Sequence, residues 1–111
     1  MGVNTPQRMG FRRVSRKLEP KEDYLEKKNR EGKWAKRYFE LEQGKLHYYG
    51  SKGHDLRQTI NMRGVPVHLL KNDPRIIEIE STAQNRQYQL RAKTTTAASD
   101  WLQALQNHSL P

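Results

Sequence analysis

The stretch that decides the fold is residues 24–39, YLEKKNREGKWAKRYF. It reads as two strands joined by a basic turn. A period of two puts Leu25 and Lys27 on one face of the first strand. In the second run, from Trp34 onward, the same period puts Ala35, Arg37, Phe39 and Leu41 on one face. Paired antiparallel, the two strands share a face on which Leu25, Phe39 and Leu41 are buried. Lys27 and Arg37 continue that face toward the turn, where a small barrel or sheet opens to water. Two cations on an inward-facing rim, beside a turn carrying Lys28, Arg30 and Lys33, point to an anionic ligand.

Outward from this hairpin the alternation continues. The expected strands are 23–29 and 34–42, then 45–49, in which Leu46 and Tyr48 alternate against His47 and Tyr49. Further strands are expected over 58–62, 67–70, 76–80 and 87–92. Gly32 supplies the first turn and Gln43-Gly44 a tight hairpin turn. Residues 50–56 read as a polar loop, and Gly64 and Pro66 end the fourth strand. Ile77 and Ile79 share a face, as do Tyr88, Leu90 and Ala92. Seven short strands at roughly ten-residue spacing are the pattern of a sandwich or barrel.

The period then changes. Ala98, Trp101, Leu102 and Leu105 recur at helical spacing after Thr94, Thr95 and Thr96, which offer N-cap hydroxyls. Asp100 is expected to suit the start of this helix, and Asn107 and His108 its end. A helix bearing Trp101 would cover the open end that a small sheet leaves. Trp34 and Trp101 are both read as packing residues.

At 111 residues with 33% hydrophobic content, the chain is expected to form one small domain with a modest core. Residues 1–20 read as a basic, mostly flexible N-terminal arm, in which Met9, Phe11, Val14 and Leu18 allow a ragged amphipathic helix over about 9–18. The folded domain is expected over 21–109. There is no cysteine, so no disulfide or thiolate metal site is open to the chain. No apolar run approaches the roughly 18 residues of a membrane span, and no secretory leader is expected. Pro6 stands where N-myristoylation wants Ser or Thr. The formal net charge is +9, which predicts anionic partners: lipid headgroups, nucleic acid or acidic protein surfaces. The charge is clustered, with six Lys or Arg between Lys27 and Arg37 against the single acid Glu31.

With these residues laid out, the chain resembles the pleckstrin homology (PH) domain family. The carriers are YLEKK in strand one, WAKRYF in strand two, LHYY in strand three, YQLRA in the last strand and the helical DWLQAL. The resemblance implies a mainly β fold, a seven-stranded antiparallel, partly open barrel or sandwich capped by a C-terminal helix. It implies a binding module rather than an enzyme, without cofactor. In lipid-binding members a lysine, a variable gap and a basic–any–Arg element hold the inositol phosphates. Carried over, these roles fall on Lys27 and Arg37, with Tyr48 and Arg57 at further ligand positions and Lys52 nearby. The chain departs from the family at Ala35, where the first basic residue of basic–any–Arg belongs. A charge-assisted hydrogen bond contributes roughly 1.5–3 kcal/mol, so its loss costs about one to two decades of affinity. Lys36 faces the other way; Lys33 is the better substitute.

The expectation is therefore a peripheral membrane module in the cytoplasm. It would bind anionic lipid, phosphoinositide first and phosphatidic acid as its competitor, through a mouth formed by strands one, three and four. A protein-interaction domain of the same fold is the alternative. Nucleic acid is disfavoured because Lys and Arg are not visibly interleaved with exposed aromatics. His47, His54, His68 and His108 show no ligand spacing in sequence, so no metal site is expected, and no nucleophile–base pair or phosphate loop suggests catalysis.

Overall fold

The computed structural model describes residues 18–110. Seven strands and one helix follow in chain order: β1 (Lys21–Lys28), β2 (Trp34–Glu42), β3 (Lys45–Tyr49), β4 (Leu56–Asn61), β5 (Val67–Leu69), β6 (Ile76–Ser81), β7 (Arg86–Arg91) and α1 (Thr95–Ser109). Every pairing is antiparallel, in the spatial order β4-β3-β2-β1-β7-β6-β5. The sheet is thus open between β4 and β5, and the architecture is the expected one. Most of the expected arm at residues 1–20, and nearly all of the helix at 9–18, lies outside the described residues.

Alternation builds one core from both halves of the sheet. Leu25, Phe39, Leu41, Leu46 and Ile60 meet Ile77, Ile79, Tyr88 and Leu90, and Ala98, Trp101 and Leu105 close over them from α1. Each large side chain so buried contributes roughly 1.5–3 kcal/mol. The helix packs against β5 and β6, covering the open side. Its start is capped by Thr94, whose hydroxyl accepts from the Ala97 amide at 3.0 Å. Asp100 does not sit in the first turn, which holds no acidic residue.

Several boundaries differ from expectation by one or two residues, β1 for instance starting at Lys21 rather than 23, and two of them have a clear cause in the pairing. β4 starts at Leu56 rather than 58 because a bulge lets pairing continue: Tyr48 opposes Gln58 and Tyr49 opposes Leu56, leaving Arg57 as the extra residue. β7 starts at Arg86 because Arg86 pairs with Ser81. The Gln43-Gly44 turn has φ of 47° and 76°, the doubly left-handed geometry that matches strand twist.

His108 serves a different end from the one expected of a cation at a helix C-terminus. It is buried; its Nδ1 accepts from the Gly44 amide at 3.0 Å and its Nε2 donates to the Glu19 carbonyl at 2.8 Å. These partners fix the tautomer, with the proton on Nε2, and clamp the entry to β1 and the β2–β3 turn onto the end of α1. His108→Ala strands the amide and opens a cavity. It is expected to cost about 2–3 kcal/mol by urea denaturation; a loss under about 0.5 kcal/mol would show the clamp to be incidental.

Candidate anion-binding site

Lys27 is the centre of the site. It lies on the inner face of β1 opposite Ala35 and is only 8% exposed. Its ammonium sits 5.2 Å from the ring centre of Tyr48 and 5.6 Å from that of Tyr88. The two rings are held by a chain of side-chain hydrogen bonds. The Tyr48 hydroxyl donates to Gln58 Oε1 at 3.2 Å, Gln58 Nε2 donates to the Tyr88 hydroxyl at 2.8 Å, and that hydroxyl donates to Gln84 Oε1 at 2.8 Å. Both walls of the Lys27 slot are therefore fixed before any ligand arrives.

No carboxylate comes within ion-pair distance of Lys27, Arg30, Arg37 or Arg86 among the described residues. Burial, followed by the positive charges of Arg86, Arg37 and Arg30, pulls the Lys27 pKa below the ordinary lysine value. A buried ammonium that feels three positive guanidinium charges is an electrostatically unsatisfied arrangement, which an anion would relieve. The neighbouring acids Glu26 and Glu40 lie on the outer face and are engaged there. Glu40 accepts from the Tyr49 hydroxyl at 2.8 Å, and Glu26 from Arg91 Nε at 2.7 Å. Arg91 also holds the Glu26 carboxyl below its usual pKa.

Arg37 is half-buried, with Nη1 donating to the Lys36 carbonyl at 2.8 Å. Lys28 and Arg30 border a cleft of about 250 Å³ between the β1–β2 turn and β7, together with Asn29, Arg86, Gln87 and Gln89. The turn itself is built on Asn29, whose side-chain oxygen accepts from the Glu31 and Lys33 amides, both at 2.9 Å. Gly32 takes φ 84° within it, and Lys33 is exposed at its end.

Two residues of the expected set stand apart from Lys27. Lys52 lies on the outer face: its ammonium is 3.8 Å from Glu22 and 5.8 Å from the ring centre of Tyr38, and its amide bonds the Tyr24 hydroxyl at 3.0 Å. Arg57, at the bulge, is exposed and folds its guanidinium back against Gly50, within 3.2 Å of where a Cβ there would stand.

β7 brings two residues that the sequence reading left out of the site, Arg86 and Tyr88. The Arg86 guanidinium carbon lies 4.6 Å from the Tyr88 ring centre. Arg86, Tyr88 and Leu90 follow the period of two, so starting the strand one residue earlier would have put Arg86 on the inner face. The mouth is thus lined from β7 as well as from β1, β3 and β4.

Trp34 does not join the core. It sits half-buried between Lys28, 5.8 Å from its ring centre, and Arg91, at 4.3 Å. Lys36 likewise lies 5.0 Å from Tyr24. Cations and aromatics do interleave on the outer face, across strands rather than along the sequence. The Trp34, Tyr24 and Tyr38 rings each already carry a cation, so none of the three is a bare stacking platform.

An open antiparallel barrel with a capping helix and a basic mouth is the architecture of the PH fold. The PH domain family model matches residues 20–109, and the chain belongs to that family. Among solved structures, it is 30% identical to the C-terminal PH domain of pleckstrin in complex with D-myo-Ins(1,2,3,5,6)P5, covering 80% of this chain and 93% of that one with a TM-score of 0.73. The PH domain of human oxysterol-binding protein-related protein 11 is 26% identical, covering 82% and 80% with a TM-score of 0.72. The PH domain of ArhGAP27 shares the fold at 17% identity, covering 81% and 99% with a TM-score of 0.68. No curated relative matches at the same standard of significance.

Proposed function

We propose that this PH domain is a peripheral membrane module that binds phosphorylated anionic headgroups, phosphoinositides first, at the mouth around Lys27. The observation that carries the reading is the buried Lys27, which feels the positive charges of Arg86, Arg37 and Arg30 and has no carboxylate within ion-pair distance among the described residues. Such a cluster is unfavourable without an anion and strengthens as phosphate charge accumulates. The pleckstrin domain holding an inositol pentakisphosphate supports the same ligand chemistry.

In this reading Arg86 offsets Ala35. Lys27 and Arg37 grip one phosphate with Tyr48 at its edge, while Arg86 and Arg30 reach another from the cleft side. Lys28 and Lys33 add attraction to an anionic bilayer of about 1 kcal/mol each, and Lys52 and Arg57 add only to this general field. The basic arm at 1–20 would reinforce it, and the setting would be cytoplasmic. No described helix is long and apolar enough to cross a membrane, so attachment would be peripheral.

The test is an NMR titration with soluble inositol polyphosphates, alongside sedimentation with phosphoinositide and phosphatidic acid liposomes. Shifts are expected at Lys27, Arg37, Tyr48 and Arg86. Arg86→Ala is expected to weaken inositol polyphosphate binding about tenfold, the scale of one charge-assisted hydrogen bond. Liposome binding to phosphatidic acid equal to that for phosphoinositide would move the assignment to a single-phosphate headgroup. Silence toward every anionic liposome at moderate salt would falsify the lipid reading. It would leave protein interaction, for which the cation-covered aromatics of the outer face, Trp34 and Tyr24, are the surface to test.

A further inference from the structure

Linear spacing does not group His68 with any other ligand, because its neighbours come from across the sheet. His68 pairs with Glu78 in the β5–β6 register, and Glu80 follows two residues on, on the same face of β6. The fold thereby brings an imidazole and two carboxylates together on the outer surface. Nε2 of His68 lies 3.0 Å from Glu78 and Nδ1 lies 3.6 Å from Glu80. One ligand atom from each of the three residues can be chosen so that all lie within 4.8 Å of one another.

We infer that His68, Glu78 and Glu80 form a binding site for a first-row transition dication, zinc being the best match. Three things favour this over a plain ion pair. The donor set is one imidazole nitrogen with two carboxylates, a borderline-soft set that suits zinc and is poorly matched to magnesium or calcium, which favour oxygen alone. The spacing is close: a tetrahedral ion with bonds of about 2.0–2.2 Å holds its donors roughly 3.3–3.6 Å apart, so the triad closes by rotamer adjustments of about an ångström. Glu78 is also pre-oriented, because Gln89 Nε2 donates to its second oxygen at 3.1 Å and its side chain is only 14% exposed. A supporting hydrogen bond of that kind fixes a ligating carboxylate. On a chain of net charge +9, this is a local pair of acids flanking one imidazole.

His68 and Glu80 remain accessible, with side chains 46% and 39% exposed, so the ion would complete its coordination with water. Its effect would be to fasten β5, the short edge strand of three residues, onto β6. The site is independent of the mouth around Lys27, so it stands whether or not lipid binding is found.

The experiment is calorimetric titration of the full chain with zinc chloride, together with the visible spectrum of the cobalt(II) form. A single equivalent of zinc should bind, cobalt should show the intense bands of a tetrahedral N/O site, and the melting temperature should rise with zinc. His68→Ala and Glu80→Gln should each weaken binding tenfold or more. His54→Ala, which removes an exposed histidine elsewhere, should change nothing. All these positions are at the surface, so the variants fold. No zinc-dependent heat, or one-equivalent binding that survives His68→Ala, overturns the inference.

Discussion

Replacing Lys27 with methionine is expected to remove most inositol phosphate binding while leaving the fold as stable as before, or more so. A structural lysine would give the opposite result, since losing its contacts would destabilise the domain. The magnitudes favour the first outcome. The two tyrosine rings offer the ammonium about 0.5–1 kcal/mol each. Against that stand the cost of desolvating an ammonium, several kcal/mol when complete, and repulsion from Arg86, Arg37 and Arg30. Burial and those like charges both pull the Lys27 pKa down, against its charged form. Methionine keeps the apolar stem and sheds the charge, so a gain of up to about 1 kcal/mol in denaturant titrations is expected. Binding of a soluble inositol polyphosphate should fall by about tenfold to a hundredfold.

The pH dependence gives a second readout. In the folded chain Lys27 loses its proton at lower pH than in the unfolded chain. Between those two pKa values the unfolded chain holds more protons, so the Lys27 contribution to stability rises with pH across that alkaline window. Lys27→Met lacks this contribution, and its stability advantage should therefore shrink as pH is raised from 7 toward about 10, near the unfolded lysine value. The Tyr49 hydroxyl is pushed the other way by its hydrogen bond to Glu40. It acts equally in both proteins and cancels from the difference. A Lys27→Met protein that binds inositol phosphates undiminished would remove the mouth as the site; one that is destabilised would make Lys27 a packing residue.

The hairpin at residues 24–39 was legible because its information is local. Alternation alone places Leu25 and Lys27 inward, and the structure agrees. Lys27 and Arg37 could be named from that period, and Gly32 and Gly44 sit in the left-handed turns their sequence suggests. Three kinds of feature were not legible. Arg86 is hidden by a one-residue strand boundary, since a polar strand end and a turn look alike until β6 supplies the partner for Arg86. Lys52 is close to the mouth along the chain, but the sheet has two faces and the Tyr24 and Tyr38 side chains hold it on the outer one. His108 and His68 act through partners dozens of residues or a strand away, a relation that only the β pairing and the helix docking create. Local period thus specifies which face a side chain takes, and topology alone decides what it meets there.

The two tryptophans separate these levels in one measurement. Trp101→Ala is expected to cost about 3–5 kcal/mol, a large share of the roughly 5–15 kcal/mol that holds a small domain together, whereas Trp34→Ala should cost no more than about 1 kcal/mol. Trp101 is fully buried where α1 meets the sheet, among the side chains of both halves of the core. Truncating it leaves a void that the rigid strands cannot close. Trp34 lies between two surface cations, and removing it forfeits exposed cation–π contacts while opening no cavity. Trp101→Phe refines the argument. The indole Nε1 of Trp101 is buried with no hydrogen-bond partner among the described residues, so phenylalanine gives up volume but also removes an unpaired donor. It should recover more than half of the alanine loss. Chemical denaturation of the three variants checks this directly. Equal losses for Trp34→Ala and Trp101→Ala would mean that the helix is not what seals the open side of the sheet.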